Sequence, residues 1–132
     1  MLDTFSYTVA NTAGTVSAPA TVTVDIFGGP ESVSVGKALY TVSKAKWNIV
    51  GSTNWFNAAL TQTVANCYLI SSGGVLLATK QFIGSAPVDA TGKFAVVPLT
   101  GPTPVSPAVV NCQTADPAGP RATSPSTSVG FN

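Results

Sequence analysis

Two cysteines are the most reactive side chains in this sequence, and their setting predicts a disulfide. Cys67 and Cys112 stand in a chain of 132 residues that has no histidine and no Cys-x-x-Cys pair, which argues against a zinc site. A bond between them would close a loop of about 45 residues and stabilise the fold by about 4 kcal/mol on the chain-entropy treatment. The alternative is a pair of buried free thiols. We expect the disulfide because the composition points outside the cell.

General acid–base catalysis near neutral pH has no candidate residue here. Without histidine, proton transfer would fall to carboxylates or lysines with strongly shifted pKa values, and the sequence arranges none of them in a motif. The glycine-rich stretches FGGP and GGVLL lead into no helix that could hold a phosphate. We therefore expect a non-enzymatic protein that uses no cofactor.

An aromatic pair is a better candidate for binding. Trp55 and Phe56 stand between Asn54 and Asn57, so flat apolar faces and amide groups would lie together. Such a surface could meet a glycan or a protein partner. The alternative is that one of the two rings closes an end of the domain core.

Charge and composition limit the partners further. Only 8% of the residues are charged, and the six basic and five acidic groups are scattered, so the sequence indicates no nucleic-acid partner. No apolar run is long enough for membrane insertion as a helix. A surface with so few charges suits an exported protein, and we expect an extracellular or cell-surface location. Because Met1-Leu2-Asp3 is no signal peptide, we expect a processed chain or a piece of a longer precursor.

Alternating apolar residues predict an all-β fold in two parts. Residues 3–26 alternate on either side of a turn at residues 11–14 and predict a β-hairpin, which we assign to 1–27. The stretch FGGPE interrupts the alternation and predicts a linker at 28–31. Residues 32–132 then show about seven or eight short strands with turns between them, the pattern of an immunoglobulin-like two-sheet sandwich.

Local patterns add three expectations inside the sandwich. Trp47 and Tyr40 face each other in a hairpin and are core candidates. Asp89 opens a turn in which Gly92 takes a left-handed conformation. The stretch DPAGPRATSP, residues 116–125, is expected to be a loop, and we expect the loops 52–59 and 114–125 to meet partners.

The first hairpin resembles the closing hairpin of bacterial cadherin-like and immunoglobulin-like repeats. Those repeats commonly end in an Asp-x-Phe-x-Tyr-Thr-Val strand, a glycine-containing turn and a Thr-Val-Thr-Val strand. The matching positions are Asp3, Phe5, Tyr7, Thr8, Val9, Gly14 and residues 21–24. Residues 31–132 more loosely resemble a complete module, through WNIVGSTN and VDATGKF. The resemblance implies a sandwich in a surface or secreted protein and identifies no ligand.

Repeats of the cadherin-like kind often bind calcium between modules through clustered acidic residues. This sequence departs from that pattern because its five carboxylates are dispersed. Asp25 and Glu31, on either side of the linker, are the only plausible pair of calcium ligands. The alternative is a pair of solvated linker carboxylates, and we expect no metal site.

Three functions remain open at this stage. The first is a spacer or adhesion module that contacts protein partners or neighbouring repeats. The second is a subunit or sheath of an extracellular filament, in which the hairpin carrying Phe5 and Tyr7, or the final STSVGFN, adds strands to the next copy. The third is carbohydrate binding through Trp55 and Phe56.

Overall fold

The computed structural model describes residues 2–25, 31–55 and 63–132, with side chains from residue 4 to 24 in the first of these ranges. The chain divides into two compact units, Met1–Pro30 and Glu31–Asn132. Both consist of β-strands, and the one helical element among the described residues is a 3-10 turn at Val42–Lys44. The expectation of an all-β protein is confirmed.

The first unit contains the hairpin that the alternation predicts. Strand β1 (Leu2–Tyr7) pairs with β2 (Ala20–Asp25) in an antiparallel register without a bulge. Phe5 lies opposite Val22, so apolar side chains share one face, while hydroxyl side chains occupy the other. At the turn, Gly14 has a φ of 82° and its amide donates to the carbonyl of Asn11 at 3.0 Å.

The second unit is a sandwich of two sheets. Its strands are β3 (Val33–Thr41), β4 (Lys46–Thr53), β5 (Val64–Ser72), β6 (Val75–Pro87), β7 (Lys93–Val96), β8 (Val109–Asp116), β9 (Gly119–Thr123), β10 (Thr127–Ser128) and β11 (Gly130–Phe131). One sheet has the order β11-β3-β4-β7. The other has the order β10-β8-β5-β6, with β9 also paired to β8.

The core lies between the inner faces of these two sheets. Trp47 and Tyr40 are 1% and 3% exposed and meet edge to face, with ring centroids 5.1 Å apart, which confirms the expectation for both residues. The indole Nε1 of Trp47 donates to the carbonyl of Pro102 at 2.9 Å, so the buried ring keeps its polar group satisfied. Leu69 and Val110 extend the apolar core from the opposite sheet.

The end of the chain differs from expectation in two places. The prediction of a loop at 116–125 is wrong, because Gly119–Thr123 forms strand β9, which pairs with β8. Pro120 is tolerated there because an edge strand needs no outward amide donor. The stretch STSVGFN is not one final strand. It divides into β10, which pairs with β8 of one sheet, and β11, which pairs with β3 of the other.

The turn at Asp89 forms as its sequence predicts. The Oδ1 atom of Asp89 accepts hydrogen bonds from the amides of Thr91 and Lys93, at 2.8 and 3.0 Å. Gly92 takes a φ of 81°, in the left-handed region that glycine favours. The turn joins β6 to β7, one of the connections at which the chain passes from one sheet to the other.

Candidate interaction site at Trp55 and Arg121

Trp55 lies two residues after the end of β4, and side-chain hydrogen bonds hold this segment in place. The hydroxyl of Thr53 donates to the carbonyl of Ser32 at 2.8 Å and accepts from the amide of Trp55 at 3.0 Å. The Oδ1 atom of Asn54 accepts from the amide of Ser32 at 2.7 Å. Residues 53–55 are therefore tied to the chain just before β3, and they carry the indole ring to a fixed position.

The ring of Trp55 lies against Arg121, the single arginine of the sequence. The centre of the guanidinium group stands 3.7 Å from the ring centroid, over the face of the indole. This is a cation–π contact, worth about 0.5–1 kcal/mol at an exposed site. Because Arg121 belongs to β9, the contact joins the segment after β4 to the edge of the other sheet.

Two carboxylates complete the cluster around the guanidinium group. Arg121 forms an ion pair with Glu31 through Nη2 and Oε1, and its Nε lies 3.7 Å from Oδ2 of Asp116. All three side chains are partly exposed, so each pair contributes at most about 1 kcal/mol on its own. Together they fix the plane of the guanidinium group over the indole and link three separate parts of the second unit.

This geometry changes what Trp55 can do. A sugar stacks on the flat face of an aromatic ring, and the guanidinium group already covers one face of this one. Phe56 and Asn57 lie outside the described residues, so the paired aromatic surface expected from sequence is not tested. The described geometry makes Trp55 a fixed contact between two segments that were expected to meet partners.

The two calcium candidates, Asp25 and Glu31, belong to different units of the chain. Glu31 pairs with the cationic Arg121, which disfavours a metal ion at the same carboxylate. The side chain of Asp25 lies outside the described ones. Among the described residues, no three His, Cys, Asp or Glu side chains form a group that could hold a metal ion.

The remaining predicted site residues lie elsewhere in the molecule. Cys67 and Cys112 form the expected disulfide, with both side chains fully buried in the core. Phe5 and Tyr7 belong to the first unit, where they are 54% and 50% exposed on the apolar face of the hairpin.

The role of Arg121 was not predicted from the sequence. Arg121 stands between Pro120 and Ala122 in a stretch without alternating apolar residues. About 90 residues of sequence separate it from Glu31, and more than half that number separate it from Trp55. No local signal relates these positions, because only the pairing of β9 with β8 brings Arg121 to them.

Sequence comparisons add no assignment. No protein-family model matches the chain, and no curated protein matches it in sequence. In the part of the chain that the structure describes, no helix has the length and apolar character needed to cross a bilayer.

Proposed function

We propose that this chain is a non-enzymatic structural and interaction module of an exported bacterial protein, a spacer or adhesion-type domain of immunoglobulin-like design. The distribution of strands supports this design, since β3, β4 and β7 share one sheet while β5, β6, β8 and β9 share the other. Constant-type immunoglobulin sandwiches likewise place their first, second and fifth strands in one sheet and their third, sixth and seventh in the other, but their fourth strand joins the first sheet, whereas β6 belongs to the second. The disulfide differs from that of antibodies, because it joins two strands of one sheet.

The observation that carries the spacer function is the parallel pairing of β3 with β11. The carbonyl of Tyr40 accepts from the amide of Asn132 at 3.2 Å, and the amide of Val42 donates to the carbonyl of Asn132 at 2.8 Å. The first and last strands of the sandwich are neighbours that run in the same direction, so the chain enters at one end of the sheet and leaves at the other. A tensile force on the two ends would shear these hydrogen bonds together instead of opening them one at a time.

Force spectroscopy tests this function. The intact chain, fused at each end to a marker domain, is extended in an atomic force microscope, and the unfolding force of the second unit is measured. Asn132→Pro removes the amide that donates to Tyr40 and should lower that force, whereas Asn132→Ala keeps the amide and serves as the matched control. Equal unfolding forces for the two variants would contradict a load-bearing β3–β11 pair.

One observation favours assembly as a second candidate function. The hairpin exposes Phe5, Tyr7 and Val24 on one face, and a two-stranded hairpin gains little stability without a surface to cover it. The first unit contains two aspartates and no basic residue, whereas the second contains six basic and three acidic residues, so units of different copies would attract each other.

Light scattering on the intact chain distinguishes the two functions. Assembly through the hairpin predicts a mass that rises with concentration, falls in high salt, and returns to that of a monomer in the Phe5→Ser, Tyr7→Ser double variant. Val75→Ser, at an exposed apolar position in the sandwich, is the control. A monomer at every concentration would exclude assembly and leave the spacer function intact.

A further inference from the structure

The outer face of the five-stranded sheet carries a row of aromatic and amide side chains. Tyr68 on the central strand β5 lies directly opposite Phe82 of β6 on one side and Asn111 of β8 on the other. Two residues earlier on β5, Asn66 lies opposite Gln113 of β8. We call these five side chains the platform. They face away from the core because the residues between them on β5 and β8 are buried.

The aromatic part of the platform is formed by Tyr68 and Phe82. Their rings meet edge to face, with centroids 5.7 Å apart and planes at 62°. The Nζ atom of Lys80 lies 4.0 Å from the centroid of the Tyr68 ring and covers that ring. Phe82 is 55% exposed, so its ring is the one that remains open for a ligand to stack on.

The amide part supplies donors and acceptors beside the rings. Asn66, Asn111 and Gln113 are all partly exposed, and Nε2 of Gln113 donates to the hydroxyl of Thr123 at 3.2 Å. The Oδ1 atom of Asn111 is buried and accepts no hydrogen bond from the groups that the structure describes. A buried acceptor without a donor is costly, and a rotation of this amide towards a ligand hydroxyl would relieve that cost.

The platform is held rigid from below. Cys67 and Cys112 lie on the core side between its two rows, and their disulfide fixes β5 against β8. Neighbouring strands are about 4.8 Å apart and alternate residues on one strand about 7 Å apart, so the five side chains stand at fixed spacings on the sheet. A surface that does not rearrange loses less conformational entropy when it binds.

We propose that the platform binds a neutral oligosaccharide, which stacks a sugar ring on Phe82 and shares hydroxyl hydrogen bonds with Asn66, Asn111 and Gln113. The chemistry favours this ligand over a protein or a nucleic acid. Phe82 is the one large apolar side chain of the platform that is more than half exposed, which is too little apolar area for a protein interface core. In the part of the chain that the structure describes, the one cation–π contact with the platform is that of Lys80, and a phosphate backbone requires several cations. This proposal stands apart from the spacer function.

The test is an NMR titration of the ¹⁵N-labelled intact chain with cellohexaose and, separately, with chitohexaose. We expect shifts of the side-chain amide signals of Asn66, Asn111 and Gln113, with an affinity that does not change with ionic strength because no charge pair is involved. Phe82→Ala should weaken binding by about five-fold or more, the effect of losing one aromatic stacking contact. Val75→Ala, on the same strand and also exposed, should leave the affinity unchanged.

Three outcomes would overturn the proposal. The first is the absence of platform shifts with both sugars, provided that the ¹⁵N spectrum shows a folded chain. The second is an unchanged affinity in Phe82→Ala. The third is self-association of the intact chain that Phe82→Ala removes, since this would identify the platform as a contact between protein copies. Because Phe82 is exposed, the variant should fold, and its spectrum reports this directly.

Discussion

Cys67 and Cys112 face each other across the neighbouring strands β5 and β8, with their Cα atoms 4.0 Å apart and both side chains fully buried. Both strands are interior to the five-stranded sheet, so the crosslink lies at the centre of the sandwich. The same bond holds together the two strands that carry most of the platform. Because it also closes the segment between the cysteines, a force applied to the chain ends does not extend that segment.

Loss of the disulfide should destabilise the fold strongly. In the Cys67→Ala, Cys112→Ala double variant, the unfolded chain regains the freedom of a loop with a sequence separation of 45 residues. We expect the free energy of unfolding, measured by urea denaturation, to fall by about 4 kcal/mol. The unreduced natural chain is the control. An unchanged denaturation midpoint would show that the crosslink contributes no stability.

The disulfide should also shorten the chain that force can extend. With the bond intact, the segment between the cysteines stays closed when the second unit unfolds. After reduction, that segment adds about 45 residues at roughly 3.4 Å each, and the extension on unfolding should grow by about 150 Å. Force spectroscopy with and without a thiol reductant measures this difference, and the Cys67→Ala, Cys112→Ala variant should show the longer extension in both conditions.

Gly51 is required by the close approach of Phe94. These residues face each other across β4 and β7, and a Cβ atom on Gly51 would collide with the Phe94 ring and with the carbonyl of Ser34. Gly51→Ala should therefore lower the free energy of unfolding by about 1–3 kcal/mol. Gly36→Ala is the matched control, because the nearest atom to its added Cβ is 3.9 Å away. Equal stabilities of the two variants would contradict this packing argument.

The Asp89 turn should make stability depend on acidic pH. The amide of Lys93, followed by the hydroxyl and amide of Thr91, donates to the carboxylate and lowers the pKa of Asp89 below its ordinary value of 3.8. A lowered pKa in the folded state adds stability that is complete above the unfolded-state pKa and is lost as the pH falls through the folded-state pKa. The difference in melting temperature between the natural chain and Asp89→Asn should therefore shrink between about pH 5 and about pH 2. A constant difference would exclude this role.

The contact between Arg121 and Trp55 can be followed by fluorescence. Trp47 is buried, so acrylamide should quench mainly Trp55. Arg121→Ala uncovers one face of that indole and should increase quenching, with a loss of about 0.5–1.5 kcal/mol in unfolding free energy. Arg121→Lys keeps the charge but lacks the planar, forked guanidinium group. Its quenching should therefore lie between that of the natural chain and that of Arg121→Ala. Quenching that is the same in all three proteins would contradict the cation–π contact.

The sequence was informative wherever the signal is local. Alternation predicted the strands around Trp47 and Tyr40, because a period of two places every second side chain on the same face. Asp89 and Gly92 predicted their turn, since each has a conformational preference that acts over a few residues. The disulfide between Cys67 and Cys112 was predictable because the sequence has two cysteines and a composition typical of exported proteins.

Tertiary structure alone decided which strands became neighbours. Alternation distinguishes the two faces of a strand but not its partner, so it did not show that 119–123 would pair with β8 or that the last residues would divide between two sheets. The Arg121–Trp55 contact and the platform around Tyr68 both depend on such long-range pairing. Their residues are distant in sequence, and only closure of the sandwich brings them within reach of one another.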